Sequence, residues 1–110
     1  MPYNVELEKR LDRLASQLGE FTKKKMFGGV GYLLNGNMVF GIHKQLLIIR
    51  TSPENAEELL KKDSVKPFDM TGRPMKGWLM ISSDAFASEK QLADLLNLAM
   101  DFGRSLPGKN

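Results

Sequence analysis

The sequence predicts one α+β domain in two layers: a helix, an antiparallel strand meander, a second helix, two further strands and a closing helix. Three observations predict it. Apolar residues recur at helical spacing near both ends of the chain; between Phe21 and Ser82 they form short, strand-length blocks; and tight-turn residues separate those blocks. Runs of strands interrupted by few helices argue that the helices pack on one face of a largely antiparallel sheet.

The first helix is read over Val5 to Leu18. Leu7, Leu11, Leu14, Ala15 and Leu18 make one apolar stripe, while Glu6, Lys9, Arg10 and Asp12 occupy the wet side. Asn4 suits its N-cap, and Gly19 suits the left-handed residue that ends many helices. A first strand is predicted over Thr22 to Phe27, ending at Gly28-Gly29. Val30 to Leu34 and Met38 to Ile42 flank Asn35-Gly36-Asn37, and Asn-Gly between apolar runs is a strong hairpin signal, because a type I′ turn needs positive φ at both central residues. His43-Lys44-Gln45 supplies the next turn, and Leu46 to Arg50 the next strand.

Ser52-Pro53-Glu54 opens a second helix running to about Lys62, with Ser as cap, Pro in the first turn, acidic residues early and Lys61 and Lys62 late. Val65 to Asp69 and Met75 to Ser82 read as two strands around a turn at Thr71-Gly72-Arg73-Pro74. Ser88-Glu89-Lys90-Gln91 is a capping box, and it starts a helix with Leu92, Leu95, Leu96, Ala99 and Phe102 on one face. The core is expected over about residues 5–105, with 106–110 a flexible tail.

Composition bounds what such a domain does. Its 110 residues suffice for one modest core, and 42% hydrophobic with 26% charged residues is ordinary globular usage, so a folded chain is expected. With no cysteine there is no disulfide framework, no thiolate metal site and no Cys nucleophile. The N-terminus lacks the layout of a signal peptide, and no apolar run approaches the roughly 20 residues that span a bilayer, so a cytoplasmic protein is expected. The net charge of +3 is a mild bias that permits an acidic partner without demanding one.

Reactive groups are sparse. His43, the single histidine, is placed in a predicted turn, where imidazole is ordinarily solvated. Glu6-Glu8 and Glu57-Glu58 form no calcium or zinc pattern, and no G-x-S-x-G elbow is present. The expectation is therefore a non-enzyme without cofactor or metal. Gly28-Gly29-Val30-Gly31 is a G-x-x-G, but strands on both sides give it the wrong context for a KH loop, and it reads as a site of tight turning or close backbone approach. Lys23-Lys24-Lys25 is the main charge feature. On a strand Lys23 and Lys25 point one way and Lys24 the other, either as a solvated edge or, with Arg50, Lys66 or Lys76, as a phosphate-contacting stripe. Trp78 is a second candidate interaction residue, an indole expected half in and half out of the core, whereas Phe40 is expected inside it. Met70, Met75 and Met80 read as core filling.

Lys25-Met26-Phe27-Gly28-Gly29-Val30-Gly31-Tyr32, followed by Asn35-Gly36-Asn37-Met38, resembles the signature of the TfoX N-terminal domain family. Leu46 to Arg50, Pro67-Phe68 and Arg73-Pro74-Met75 match later elements, so the likeness runs over about residues 6–105. It implies a two-layer α+β fold and a bacterial protein linked to regulators of competence for DNA uptake, here as a stand-alone N-terminal domain without the C-terminal helical domain of the full-length regulators. It implies no catalytic residues; Lys25, Met26, Phe27, Gly28, Gly29 and Gly31 are its motif. Three readings follow: an adaptor working through an unidentified protein partner, a nucleic-acid-binding module using Lys23 to Lys25, and a small-molecule binder or enzyme with a pocket near Trp78 and Tyr32. A homodimer through an uncovered strand edge is also open.

Overall fold

The computed structural model describes residues 4–19, 21–26, 29–68 and 77–106. Helix α1 spans Val5–Leu18 and is followed by strands β1 (Thr22–Met26), β2 (Gly29–Leu34), β3 (Asn37–His43) and β4 (Leu46–Arg50). Then come helix α2 (Pro53–Leu59), strands β5 (Val65–Pro67) and β6 (Trp78–Ile81), a 3-10 turn at Ser83–Phe86 and helix α3 (Glu89–Ser105). The strands form one sheet in the order β1-β2-β3-β4-β6-β5, and every neighbouring pair is antiparallel. The α+β architecture read from the sequence is the one observed.

Helix boundaries follow capping chemistry. The Asn4 side chain accepts from the Leu7 N–H (3.1 Å), and Ser52 accepts from the Asn55 N–H (3.2 Å). At α3 both halves of the capping box are made: Gln91 N–H donates to Ser88 Oγ and Ser88 N–H to Gln91 Oε1, each at 3.0 Å. Asn35 (φ 54°) and Gly36 (φ 85°) both take positive φ, as the hairpin between β2 and β3 requires.

Several expectations shift. Gly19 ends α1 with φ 156° and ψ −165°, an open conformation rather than the left-handed helical one. Helix α2 stops at Leu59, short of Lys62, because Lys61 and Lys62 turn back with N–H bonds to Glu58 and Leu59. His43 is the last residue of β3 rather than part of the turn, since Lys44 (φ 57°) makes the reversal. The 3-10 turn was not anticipated. On the apolar face of α3, Met100 and Gly103 join the leucines, and Phe102 is only half-buried. Phe27, Gly28, Asp69, Met70, the Thr71 to Pro74 turn, Met75, Lys76 and 107–110 of the predicted tail lie outside the described residues; Leu106 is half-buried.

Packing divides the sheet into two unlike faces. The helices cover one of them, and Leu7, Leu11, Val30, Tyr32, Phe40, Leu47, Ile49, Leu79, Ile81, Leu92 and Leu96 belong to a single cluster there, Phe40 being fully buried. A bulge shifts the register between Tyr32 and Leu33, so that both Val39 and Phe40 turn toward the helices. Residues of opposite parity line the other face: the register aligns Lys24, Gly31, Gly41, Ile48, Met80 and Lys66 in one row across all six strands. Ile48 (1% exposed) and Phe68 (3%) are buried yet lie outside the helix-side cluster, so this second face carries its own small apolar centre.

Candidate functional site

Of the family-motif residues, Lys25, Met26, Gly29 and Gly31 are described, on β1 and β2. Gly29 pairs with Met26 and with His43, and a Cβ there would run into the Ile42 carbonyl oxygen, so only glycine lets β2 approach β3 at this point. Gly31 lies between Lys24 and Gly41 in the row on the far face. Met26 closes β1. Phe27 and Gly28 lie outside the described residues.

The strand divides the lysine run between two faces. Lys23 reaches α1, pairing with Glu8 (2.8 Å) and Asp12 (3.1 Å) beside the Tyr32 ring, whose hydroxyl also donates to Asp12. Partial burial works against the Lys23 charge, but the bonds to Glu8 and Asp12 outweigh it and hold its pKa above the ordinary value. Lys25 shares that side of the strand, and Lys24 points to the opposite face. Both are exposed, at the edge of the sheet. Lys66 stands on the same face as Lys24 but on the other edge strand, about 24 Å away if strands are about 4.8 Å apart. A continuous stripe of phosphate contacts through Lys23, Lys24 and Lys25 is not what these positions make.

A different constellation comes together at one end of the central strands. Arg50 ends β4 directly opposite Trp78, the first residue of β6. Just beyond them the Thr51 N–H donates to the Gly77 carbonyl (2.8 Å), and Gly77 holds φ 83° with the Thr51 carbonyl where a Cβ would go. Thr51, fully buried, donates through Oγ1 to the Leu98 carbonyl of α3 (3.4 Å) and accepts from Asn55 Nδ2 (3.4 Å), tying this end of the sheet to two helices. With β4, β6 and α3 locked together, the Arg50 guanidinium lies over the Trp78 ring at 5.3 Å from its centroid and over the Phe102 ring at 5.5 Å. Phe68 continues the chain of rings, 6.2 Å from Trp78 and 6.2 Å from His43.

Arg50, Trp78, Phe102 and His43 are all half-buried, so the chain runs along the surface of the helix-free face and round its end. Trp78 was legible in the sequence as a half-in, half-out indole. In the sequence Arg50 stands out only as a member of a lysine stripe, and Phe102 only as part of the apolar face of the last helix. The signal that joins them is positional: an arginine ends one apolar strand, and a tryptophan opens another just after a glycine.

Trp78 and Tyr32 do not line one pocket: Tyr32 is buried under α1 on the helix side, where it lines a shallow hollow of about 240 Å³ with Asp12, Phe21 and Lys23, and Trp78 belongs to the opposite face. An open cleft of about 430 Å³ lies elsewhere, between β5, the 3-10 turn and α3, where Leu59, Val65, Leu95 and Leu98 meet Asp84 and Asp94. Among the described residues no three His, Asp or Glu side chains are grouped to hold a metal ion. No described helix is long and apolar enough to cross a membrane.

Compared with known proteins, residues 12–103 match the sequence model of a family described as the TfoX N-terminal domain. No curated protein and no solved structure matches the chain.

Proposed function

The chain belongs to the TfoX N-terminal domain family, and from that premise we propose that it is a regulatory or adaptor module of the competence-regulator kind, acting through protein–protein contact and performing no chemistry of its own. The observation that carries this reading is the Arg50–Trp78 pair at the end of the helix-free face. Tryptophan and arginine are the side chains that most often dominate binding energy at protein interfaces, above all when neighbouring groups already hold them in place. Here the register, the Thr51–Gly77 bond and the Phe102 ring hold them. The dispersal of the lysine run favours a protein over a nucleic acid, since Lys23 is engaged by two carboxylates and Lys24 faces away from Lys25.

Affinity capture from the native cytosol with three baits tests the reading: the wild-type chain, Trp78→Ala, and the edge variant Lys24→Ala/Lys25→Ala, each checked for its fold by circular dichroism. A protein retained by the wild type and the edge variant but lost from Trp78→Ala is the expected outcome. A nanomolar DNA complex that survives about 200 mM salt, where phosphate-driven binding has weakened steeply, would overturn it.

A further inference from the structure

We propose that the Arg50 guanidinium, lying over the Trp78 and Phe102 rings, is a receptor for a carboxylate side chain carried by an acidic, apolar-flanked segment of a partner protein; this rests on reading that face as a protein contact. The other described arginines are engaged. Arg10 bonds Glu89 and the Phe86 and Ser88 carbonyls, Arg13 pairs with Glu89, and Arg104 pairs with Asp101 and bonds the Leu18 carbonyl. Arg50 is different: among the described residues it has two ring contacts, no ion pair and no side-chain hydrogen bond. Ring contacts of this kind draw on the positive charge and leave the N–H donors open. What remains is a guanidinium placed by two separate elements, with its donor fork unfilled by any described residue and apolar walls beside it.

That combination selects the ligand. A guanidinium fork matches the two oxygens of a carboxylate, and aromatic neighbours lower the local dielectric, which strengthens the pairing. Holding the side chain in place beforehand removes part of the ordering cost of binding. The rings of Trp78 and Phe102 offer contact area to apolar residues on either side of the acid. A phosphodiester backbone is the poorer fit, because it is held by several cations in series. The described cations on this face are spread out: Lys66 stands two strands from Arg50 and Lys24 three strands away.

The probe is an N-acetylated, C-amidated peptide, Leu-Glu-Phe-Glu-Leu, with its Gln-for-Glu counterpart and an oligothymidylate as comparisons. Trp78 is the single tryptophan, so its emission reports each titration. The acidic peptide is expected to change that emission and to move the Arg50 Nε–H resonance of the wild-type protein, a readout that needs no variant. The Gln peptide, and the acidic peptide on Arg50→Gln, should bind at least roughly tenfold more weakly, the loss expected of one charge-assisted fork. Arg50→Lys, which keeps the charge and loses the fork, should fall between them.

Equal affinity for the two peptides, a stationary Arg50 Nε–H resonance, or displacement of the peptide by the oligothymidylate would each overturn the proposal. A partner captured through Trp78 but unaffected by Arg50→Gln would sink the carboxylate receptor and leave the adaptor reading standing. Peptide binding through Arg50 with no partner captured would do the reverse.

Discussion

Replacing Gly77 by alanine perturbs the structure at the point on which the Arg50–Trp78 pair depends. Gly77 holds φ 83°, a conformation that costs an L-residue about 1 kcal/mol. The new methyl would also meet the Thr51 carbonyl, and relieving that clash stretches the 2.8 Å bond from the Thr51 N–H to the Gly77 carbonyl, worth about another 1 kcal/mol. With some disturbance of buried Thr51, the loss is about 2–3 kcal/mol, or about 8–12 °C in Tm for a domain of 110 residues. Gly19→Ala is the control: nothing lies within 4 Å of its added methyl, so only backbone strain of about 1 kcal/mol is expected. Urea unfolding followed by Trp78 emission measures both, and Gly77→Ala should also redden the native emission as β6 loosens and the indole becomes wetter. A Gly77→Ala variant as stable as Gly19→Ala would refute the close approach of Gly77 and Thr51.

Ser88→Ala should destabilise the domain by about 1 kcal/mol, because it removes the Gln91 N–H partner and with it one half of the box that starts α3; chemical unfolding at neutral pH reads this directly. Glu89 is held below its ordinary value of 4.5 chiefly by the Arg13 hydrogen bond and then by Arg10. Its folded pKa lies below its unfolded one, so its contribution is present above the unfolded pKa and fades as pH falls through the folded one. The stability gap between wild type and Glu89→Gln should therefore be open at pH 6 and close under acid; a pH-independent gap would contradict the pairing. Lys23→Ala should lower stability by up to about 1 kcal/mol in low salt, whereas Lys24→Ala should stay within about 0.5 kcal/mol, because only Lys23 holds two carboxylates. Equal effects from the two lysines would show that β1 does not present its side chains as described.

Local signals were readable and long-range ones were not. Asn35-Gly36 and Ser88 to Gln91 announce their turn and cap because the interactions that define them close within a few residues. The end of α2 is not legible in the sequence, because Lys61 and Lys62 have ordinary helix propensity and it is the turn into β5 that stops the helix before them. His43 reads as a turn residue in the sequence because nothing local says that Lys44 accepts positive φ. The candidate site shows the limit most clearly. Arg50, Trp78 and Phe102 are far apart along the chain, and they meet only because β6 inserts between β4 and β5 and α3 crosses the same end of the sheet. Equally, a run of three lysines looks like one feature in the sequence. The pleat sends Lys24 to one face, and α1 brings Glu8 and Asp12 to Lys23 on the other.

The chemical shifts of the Arg50 side-chain protons in the free protein probe that meeting most directly. Ring currents from Trp78 and Phe102 should displace them upfield of their values in an unstructured peptide, and Phe102→Leu should remove part of the displacement while Trp78 contributes the rest. Unstructured-peptide values in the wild-type protein would mean that the guanidinium is not held over these rings, and the binding surface built on it would fall.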